Sequence, residues 1–295
     1  MNMKTRTWKT AAVLSLAVAA LTACKDDDDT YYINGNAWVS YGNLEKIDNG
    51  GHSRFAIRRD DGVRLIVSDG LSINSSDDRE GQRVYPYYAV LGSDRDEIGL
   101  EGRMNYYIRL YDLRTVLTKA PVKESFIQAN EAHRQDSLGM DPVHVSSAWF
   151  GGKYLNVEFM LPVKAGSDTK HFINVVEDDV TAHNDTVYIT LRHNAYGDSP
   201  RLTESSTRAD KAGVRWMWGN ASFDLTSILP AGKTSVPVKF LWTGYKADSW
   251  TTETMSDSGL YTPAIHTKAV RGGGLNGGQL DHVPSAQANE PANCI

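Results

Sequence analysis

Between Tyr31 and Tyr261 apolar residues fall mostly at every second position. Successive side chains of a β-strand point to opposite faces, so this period marks half-buried strands and excludes a helical or coiled-coil core. Ala37, Val39 and Tyr41 alternate, as do Val63, Leu65 and Val67 after the turn Asp60-Asp61-Gly62. Val84, Pro86, Tyr88 and Val90 follow, then Tyr106, Ile108 and Leu110. These runs predict strands over 34–47, 53–59, 63–68, 82–92 and 104–113. Pro86 has no N–H to give to a ladder and predicts an edge or a bulge. Five antiparallel strands in so short a stretch suit a small barrel, of which the OB-fold is one version. We take 31–118 as this barrel domain.

The period changes after Pro121. Val122, Phe126, Ala129 and His133 recur at helical spacing, and Gly139 offers a stop. Residues 119–139 read as a short helix or an ordered linker, with His133 a partly buried spacer. Alternation resumes at Leu155, Val157, Phe159, Leu161 and Val163, with polar Asn156 and Glu158 on the other face. Further strands are expected at 172–176, 187–191, 214–225, 236–242 and near 250–254. Short strands joined by Gly-, Asp-, Asn- and Ser-rich turns predict an antiparallel β-sandwich-like domain over 140–261. The fold class is all-β. The polar stretch 195–213 reads as a long loop. The Gly/Pro-rich tail, 262–295, cannot bury a core and reads as disordered.

The N-terminal end carries an address. Lys4, Arg6 and Lys9 precede an apolar run from Ala11 to Ala23, too short for a helix across a bilayer, which needs about 20 residues. A basic start and a short apolar stretch make a secretory signal over 1–23. The run ends Leu21-Thr22-Ala23-Cys24, which resembles the lipobox of bacterial lipoproteins. That resemblance implies cleavage after Ala23 and lipidation of Cys24. Residues 24–30 form an acidic tether. Within it Lys25, Asp26, Asp27, Asp28 and Asp29 resemble the export signal of surface lipoproteins of Bacteroidetes, implying an outer-membrane, surface-exposed protein. Removing Lys4, Arg6 and Lys9 leaves 28 basic against 36 acidic residues, taking the formal charge from −5 to −8. That sign opposes nucleic acid as a partner.

Catalytic and metal motifs do not emerge. There is no G-x-S-x-G elbow, H-E-x-x-H, paired C-x-x-C or phosphate loop. The two cysteines, Cys24 and Cys294, cannot build a disulfide scaffold. Asp94, Asp96 and Glu97 lack the spacing of a calcium loop. The expectation is no enzyme activity, no metal and no cofactor. Arg192-His193-Asn194 ends a strand, and a buried, hydrogen-bonded His193 is favoured over a functional pair. Trp216 and Trp218 share one strand face, either in a sandwich core, the preferred reading, or as a ligand platform. Tyr85, Tyr87 and Tyr107 are candidates for a ligand face of the barrel.

A linked set of motifs carries a family resemblance: Tyr106-Tyr107-Ile108, Leu117-Thr118-Lys119, Asp136 to Val143, Trp149 to Phe159, Leu191 to Ala195, and Ser222-Phe223-Asp224-Leu225. In this order they resemble the NigD-like lipoproteins of Bacteroidetes. The resemblance implies an OB-like N-terminal domain and a β-sandwich-like C-terminal domain. Three functional readings follow: a lipid-anchored envelope protein that binds a protein or glycan partner, a glycan-binding module using exposed aromatics, and, through the family name, bacteriocin immunity.

Overall fold

The first five predicted strands close on themselves. A computed structural model describes residues 37–49, 52–73, 80–95, 104–129, 138–178, 185–200, 202–203, 205–246 and 250–263. Strands β1 (Ala37–Val39), β2 (Gly42–Asn49), β3 (His52–Arg59), β4 (Arg64–Gly70), β5 (Arg83–Arg95) and β6 (Met104–Thr115) form one sheet. β2, β3 and β4 are an antiparallel meander; β4 pairs with β6 in parallel, β6 with β5 and β5 with β2, which completes a five-stranded ring. β1 extends β2 along the same side of β5. The predicted strand 34–47 is thus broken at Ser40-Tyr41. Pro86 falls opposite that break, and the register of β5 with β6 slips close by, between Tyr87 and Tyr88. Leu44, Ile57, Leu65, Val84, Tyr88, Ile108 and Leu110 fill the ring.

The remaining strands form two facing sheets. They are β7 (Leu117–Lys119), β8 (Val122–Lys123), β9 (His144–Gly151), β10 (Tyr154–Lys164), β11 (Phe172–Glu177), β12 (Val187–Asn194), β13 (Val214–Asp224), β14 (Val236–Tyr245) and β15 (Thr252–Tyr261). One sheet runs β7-β13-β10-β9 and the other β15-β14-β12-β11-β8. Most pairs are antiparallel; β7 with β13, β8 with β11 and β12 with β14 run parallel. Leu155, Val157, Phe159, Leu161 and Val163 of β10 pack on Ile173, Val175, Ile189, Leu191, Val238 and Phe240 of the opposite sheet. The stretch 119–139 is more than a connector. β7 and β8 enter one sheet each, and a helix follows at Glu124–Ala129. The polar stretch 195–213 also ends in a short helix, Arg208–Ala212.

The outer face of the β7-β13-β10-β9 sheet meets the barrel. On it Asn156 lies between Ser222 and Trp149 in register, and Glu158 is opposite Asn220. Arg83 enters from β5, its side chain fully buried. All five guanidinium N–H donors are engaged. Nη1 and Nη2 bind the two Asp60 oxygens at 2.5 and 2.6 Å, Nη1 also reaches Asn43 Oδ1 at 2.8 Å, Nη2 reaches Asn156 Oδ1 at 2.8 Å, and Nε donates to Ser222 Oγ at 3.1 Å. The guanidinium carbon lies 4.1 Å from the ring centre of Tyr154 and 5.5 Å from that of Tyr41. Gly151 permits this approach, since a Cβ there would stand 2.2 Å from Asp60 Oδ2.

Removing one member of a buried ion pair leaves its partner uncompensated and costs about 3–5 kcal/mol. Asp60→Ala is therefore expected to lower unfolding free energy by that amount in urea titrations. A loss below about 1 kcal/mol, the level of an exposed pair, would show that the pair is not held away from water.

Candidate functional site at the loop end of the sandwich

Along β10 the outer face runs from Asn156, at the barrel joint, to Pro162, about 20 Å away at strand spacing. At that far end the segments 138–143, 165–171 and 195–200 converge with Tyr245. Backbone and side-chain bonds stitch them together. Asp141 N donates to His193 O at 2.9 Å and Asp141 Oδ2 accepts from Ala195 N at 2.7 Å. Arg192 Nε donates to Gly139 O at 2.7 Å, and Lys164 Nζ to Gly197 O at 2.7 Å. Gly139 has φ +59°, and a Cβ there would fall 2.4 Å from His193 O. Only glycine accepts both conditions without strain.

A buried row of polar side chains lies beneath. His171 Nε2 is 3.0 Å from Asp198 Oδ2, and His171 Nδ1 is 2.9 Å from His193 Nε2. All three residues are buried. The carboxylate can only accept, so His171 donates from Nε2; with neutral rings its Nδ1 then accepts from His193 Nε2–H. Burial and the neighbouring His171 push His193 down to about 4, against a smaller opposing influence of Asp141. Burial acts to raise Asp198, but hydrogen bonds from His171 and Ser167 hold it below the ordinary carboxylate value. The row bolts the 195–200 turn to β11 and β12. It contains the buried, hydrogen-bonded His193 favoured from sequence, bonded to His171, a pairing no sequence spacing announces.

Aromatic rings lie at the surface of this end. Trp216, 40% exposed, stacks on Trp250 with ring centres 5.9 Å apart and planes 20° apart. Tyr245 stands edge-on to both, at 6.0 and 5.5 Å, and exposed His144 is edge-on to Trp216 at 6.5 Å. Burial raises the Tyr245 hydroxyl to about 12, opposed by a hydrogen bond with Ser199. Tyr196, 55% exposed, sits in the same turn as Ser199 with φ +49°, a conformation a bulky side chain rarely adopts. Its N–H is tied to Asn194 Oδ1 at 2.8 Å.

The profile of the family described as NigD-like C-terminal beta sandwich domain matches residues 125–255. That span is a NigD-like domain. Among solved structures, a NigD-like immunity protein from Bacteroides caccae is 22% identical, with 77% of this chain and 97% of that one aligned at a TM-score of 0.53. A protein of unknown function from Bacteroides vulgatus is 21% identical, with 80% and 95% aligned at 0.52. At such identity the likeness is one of fold, and it spans the barrel as well as the NigD-like domain. No curated protein matches.

Within the NigD-like domain the two β13 tryptophans do share a face, but it is the outer one. Met217 packs into the core, whereas Trp216 stands opposite Pro162 and Trp218 opposite Met160. Core packing, the preferred sequence reading, is therefore corrected. Trp149 likewise packs its ring edge against Tyr41 at the barrel joint, 5.2 Å between centres, and not in the sandwich core. Only Trp242 takes the inward role, against Phe240.

The barrel tyrosines do not gather into one face. Tyr85 is drawn into the joint, 4.8 Å from Tyr41, and burial with the nearby Glu158 raises its hydroxyl well above the usual range. Tyr87 packs on Tyr111. Tyr107 pairs with Gly92, five residues along β5 from Tyr87 and so about 16 Å away. Among the described residues no three His, Cys, Asp or Glu side chains converge to hold a metal ion. Cys24, the cleavage site after Ala23, Lys25 to Asp29, His133 and Cys294 lie outside the described residues, as does most of 262–295.

The His193 shift has a pH signature. Its folded value lies below the unfolded one of about 6.5, so the neutral ring stabilises the fold above that pH, and the contribution falls as pH drops from 6.5 through 4. The loss is expected to reach about 3 kcal/mol, while Asp198 contributes only at lower pH still. Thermal unfolding between pH 7 and 4 should show this slope, and His193→Gln should flatten it. A wild-type profile flat across that window would contradict the burial of a neutral His193.

Proposed function

We propose that this protein is a non-enzymatic binding protein of the outer membrane, held by acyl chains on Cys24, which presents the loop end of its NigD-like domain to a protein or glycan partner. The observation that carries this reading is the aromatic cluster of exposed Trp216 with half-buried Trp250 and Tyr245, beside a turn fixed from below. Residues on loops held by a rigid scaffold are the usual place for binding function. The histidine–carboxylate row of His193, His171 and Asp198 is buried. An acid–base group must come within hydrogen-bond reach of its substrate, and His171 spends both ring nitrogens on Asp198 and His193.

The anchor rests on the sequence. A basic start, a thirteen-residue run apolar except for Ser15 and Thr22, and Cys24 together support lipidation, and each acyl methylene buried adds about 0.8 kcal/mol of membrane affinity. The acidic run Asp26 to Asp29 supports display on the cell surface. The fold shared with a protein described as a NigD-like immunity protein favours a second reading, in which the partner is a bacteriocin.

Cys24→Ala is expected to move the protein from the membrane fraction to the soluble envelope fraction, and full retention in the membrane would refute the anchor. A photo-crosslinking side chain at Tyr196, but not at Arg109 on the barrel, is expected to capture an envelope component in living cells. Equal capture from both positions would remove the loop end as the binding surface. A deletion strain more sensitive to bacteriocin would select the second reading, and unchanged sensitivity would dispose of it.

A further inference from the structure

The aromatic platform at the loop end is by itself smaller than the surface a folded protein partner covers. Trp216 leaves on the order of 100 Å² accessible, and with Tyr196 and the half-buried Tyr245 and Trp250 the platform is on the order of 300 Å². A stable protein interface needs about 800 Å² from each partner. One to three sugar rings fit the smaller figure. The face of an indole is electron-rich and its edge electron-poor. Pyranose rings present C–H groups on their flat faces and hydroxyls around their rims. An indole face therefore matches the flat of a sugar, and polar groups nearby serve its rim. Exposed His144 stands beside Trp216 and can both donate and accept, and Arg215, also exposed, precedes it on β13.

The platform is also ordered in advance. Trp216 and Trp250 are nearly parallel, and Tyr245 wedges edge-on against both. Tyr245 is tied through Ser199 to the turn that Asp198 bolts to His171. Holding rings in place removes the entropy cost that binding a small ligand must otherwise meet. Tyr196 is presented from the same turn in its left-handed conformation, which persists only where the surroundings impose it. The mature charge of −8 opposes sulfated or phosphorylated chains.

We infer that the Trp216–Trp250–Tyr245 cluster is a binding site for an uncharged carbohydrate chain, stacked on the indoles and hydrogen-bonded at its rim by His144. This rests on the reading of the loop end as the binding surface, and narrows its ligand to a sugar.

The test is affinity electrophoresis of the full-length mature chain carrying Cys24→Ala, through gels containing starch, xylan, mannan, inulin or mixed-linkage β-glucan. Tryptophan fluorescence titration with the matching oligosaccharides follows. At least one polysaccharide is expected to retard the protein. Trp216→Ala and Trp250→Ala should each weaken binding tenfold or more, Trp216→Phe should keep most of it, and Arg109→Ala should leave it unchanged. The pH-dependent melting of each variant shows whether the fold is retained; if Trp250→Ala unfolds, the two Trp216 variants decide. Retardation by none of the five polysaccharides, or retardation insensitive to Trp216→Ala, overturns the sugar site. Crosslinking of a protein through Tyr196 with no retardation overturns the sugar and leaves the loop-end reading standing. Retardation that survives both tryptophan variants, with equal crosslinking from the barrel, overturns both.

Discussion

Arg83 is a charge placed where no water can reach it. Moving such an ion out of water costs several kcal/mol even after relaxation, and it is tolerated only when its charge and every donor are met. Here both conditions are fulfilled by residues from two different β units. Asp60 and Asn43 come from the barrel; Asn156 and Ser222 come from the sandwich. The rest of the joint follows. Tyr154 and Tyr41 flank the guanidinium, Gly151 makes room for Asp60, and Asn43 Nδ2 donates to the Tyr154 hydroxyl at 2.9 Å. Apolar packing alone would accept several orientations of a barrel on a sheet. A planar fork with fixed donor directions accepts one.

The loop end repeats this logic on a smaller scale and with a different polarity. There a carboxylate is buried, and two imidazoles hand a chain of donors toward it. At the loop end the stabilisation from the buried neutral His193 ring falls as pH drops from about 6.5 through 4. Surface pairs such as Arg109 with Asp69 and Arg114 with Asp112 are about half exposed and contribute little to either.

Much of the architecture was legible because alternation is a direct projection of the pleat onto the sequence. The runs 53–59, 63–68, 82–92 and 104–113 each fall on a strand, as do the five apolar positions of β10. Very short strands were not legible: Leu117–Lys119 and Val122–Lys123 hold too few residues to show a period, and their pairing is set by neighbours far along the chain. Alternation tells which residues share a face but not which face is inside. Trp216 and Trp218 were correctly put on one side; the choice of side was decided by Met217 and by the β10 row, packing against the second sheet. Asn156, Ser222 and Asp60 looked like solvated polar residues because their common partner, Arg83, is 139 residues from Ser222 and 73 from Asn156. His171 and Asp198 are likewise joined only in space. The lone clue was Arg83 itself, a charged side chain heading a run of apolar alternation.

The chain passes from Thr115 of the last barrel strand to Leu117 of the first sandwich strand through one residue, Val116, which is itself buried and whose N–H binds Arg83 O at 3.0 Å. Evolution and engineering both favour parts that can be cut out and spliced elsewhere. This pair of β units is not of that kind: a barrel transplanted alone would strip Arg83 of its Asn156 and Ser222 acceptors, and a sandwich alone would leave those two without their donor. Recombination that shuffles such proteins must keep Arg83, Asp60, Asn156 and Ser222 together, so the two β units travel as one inherited piece.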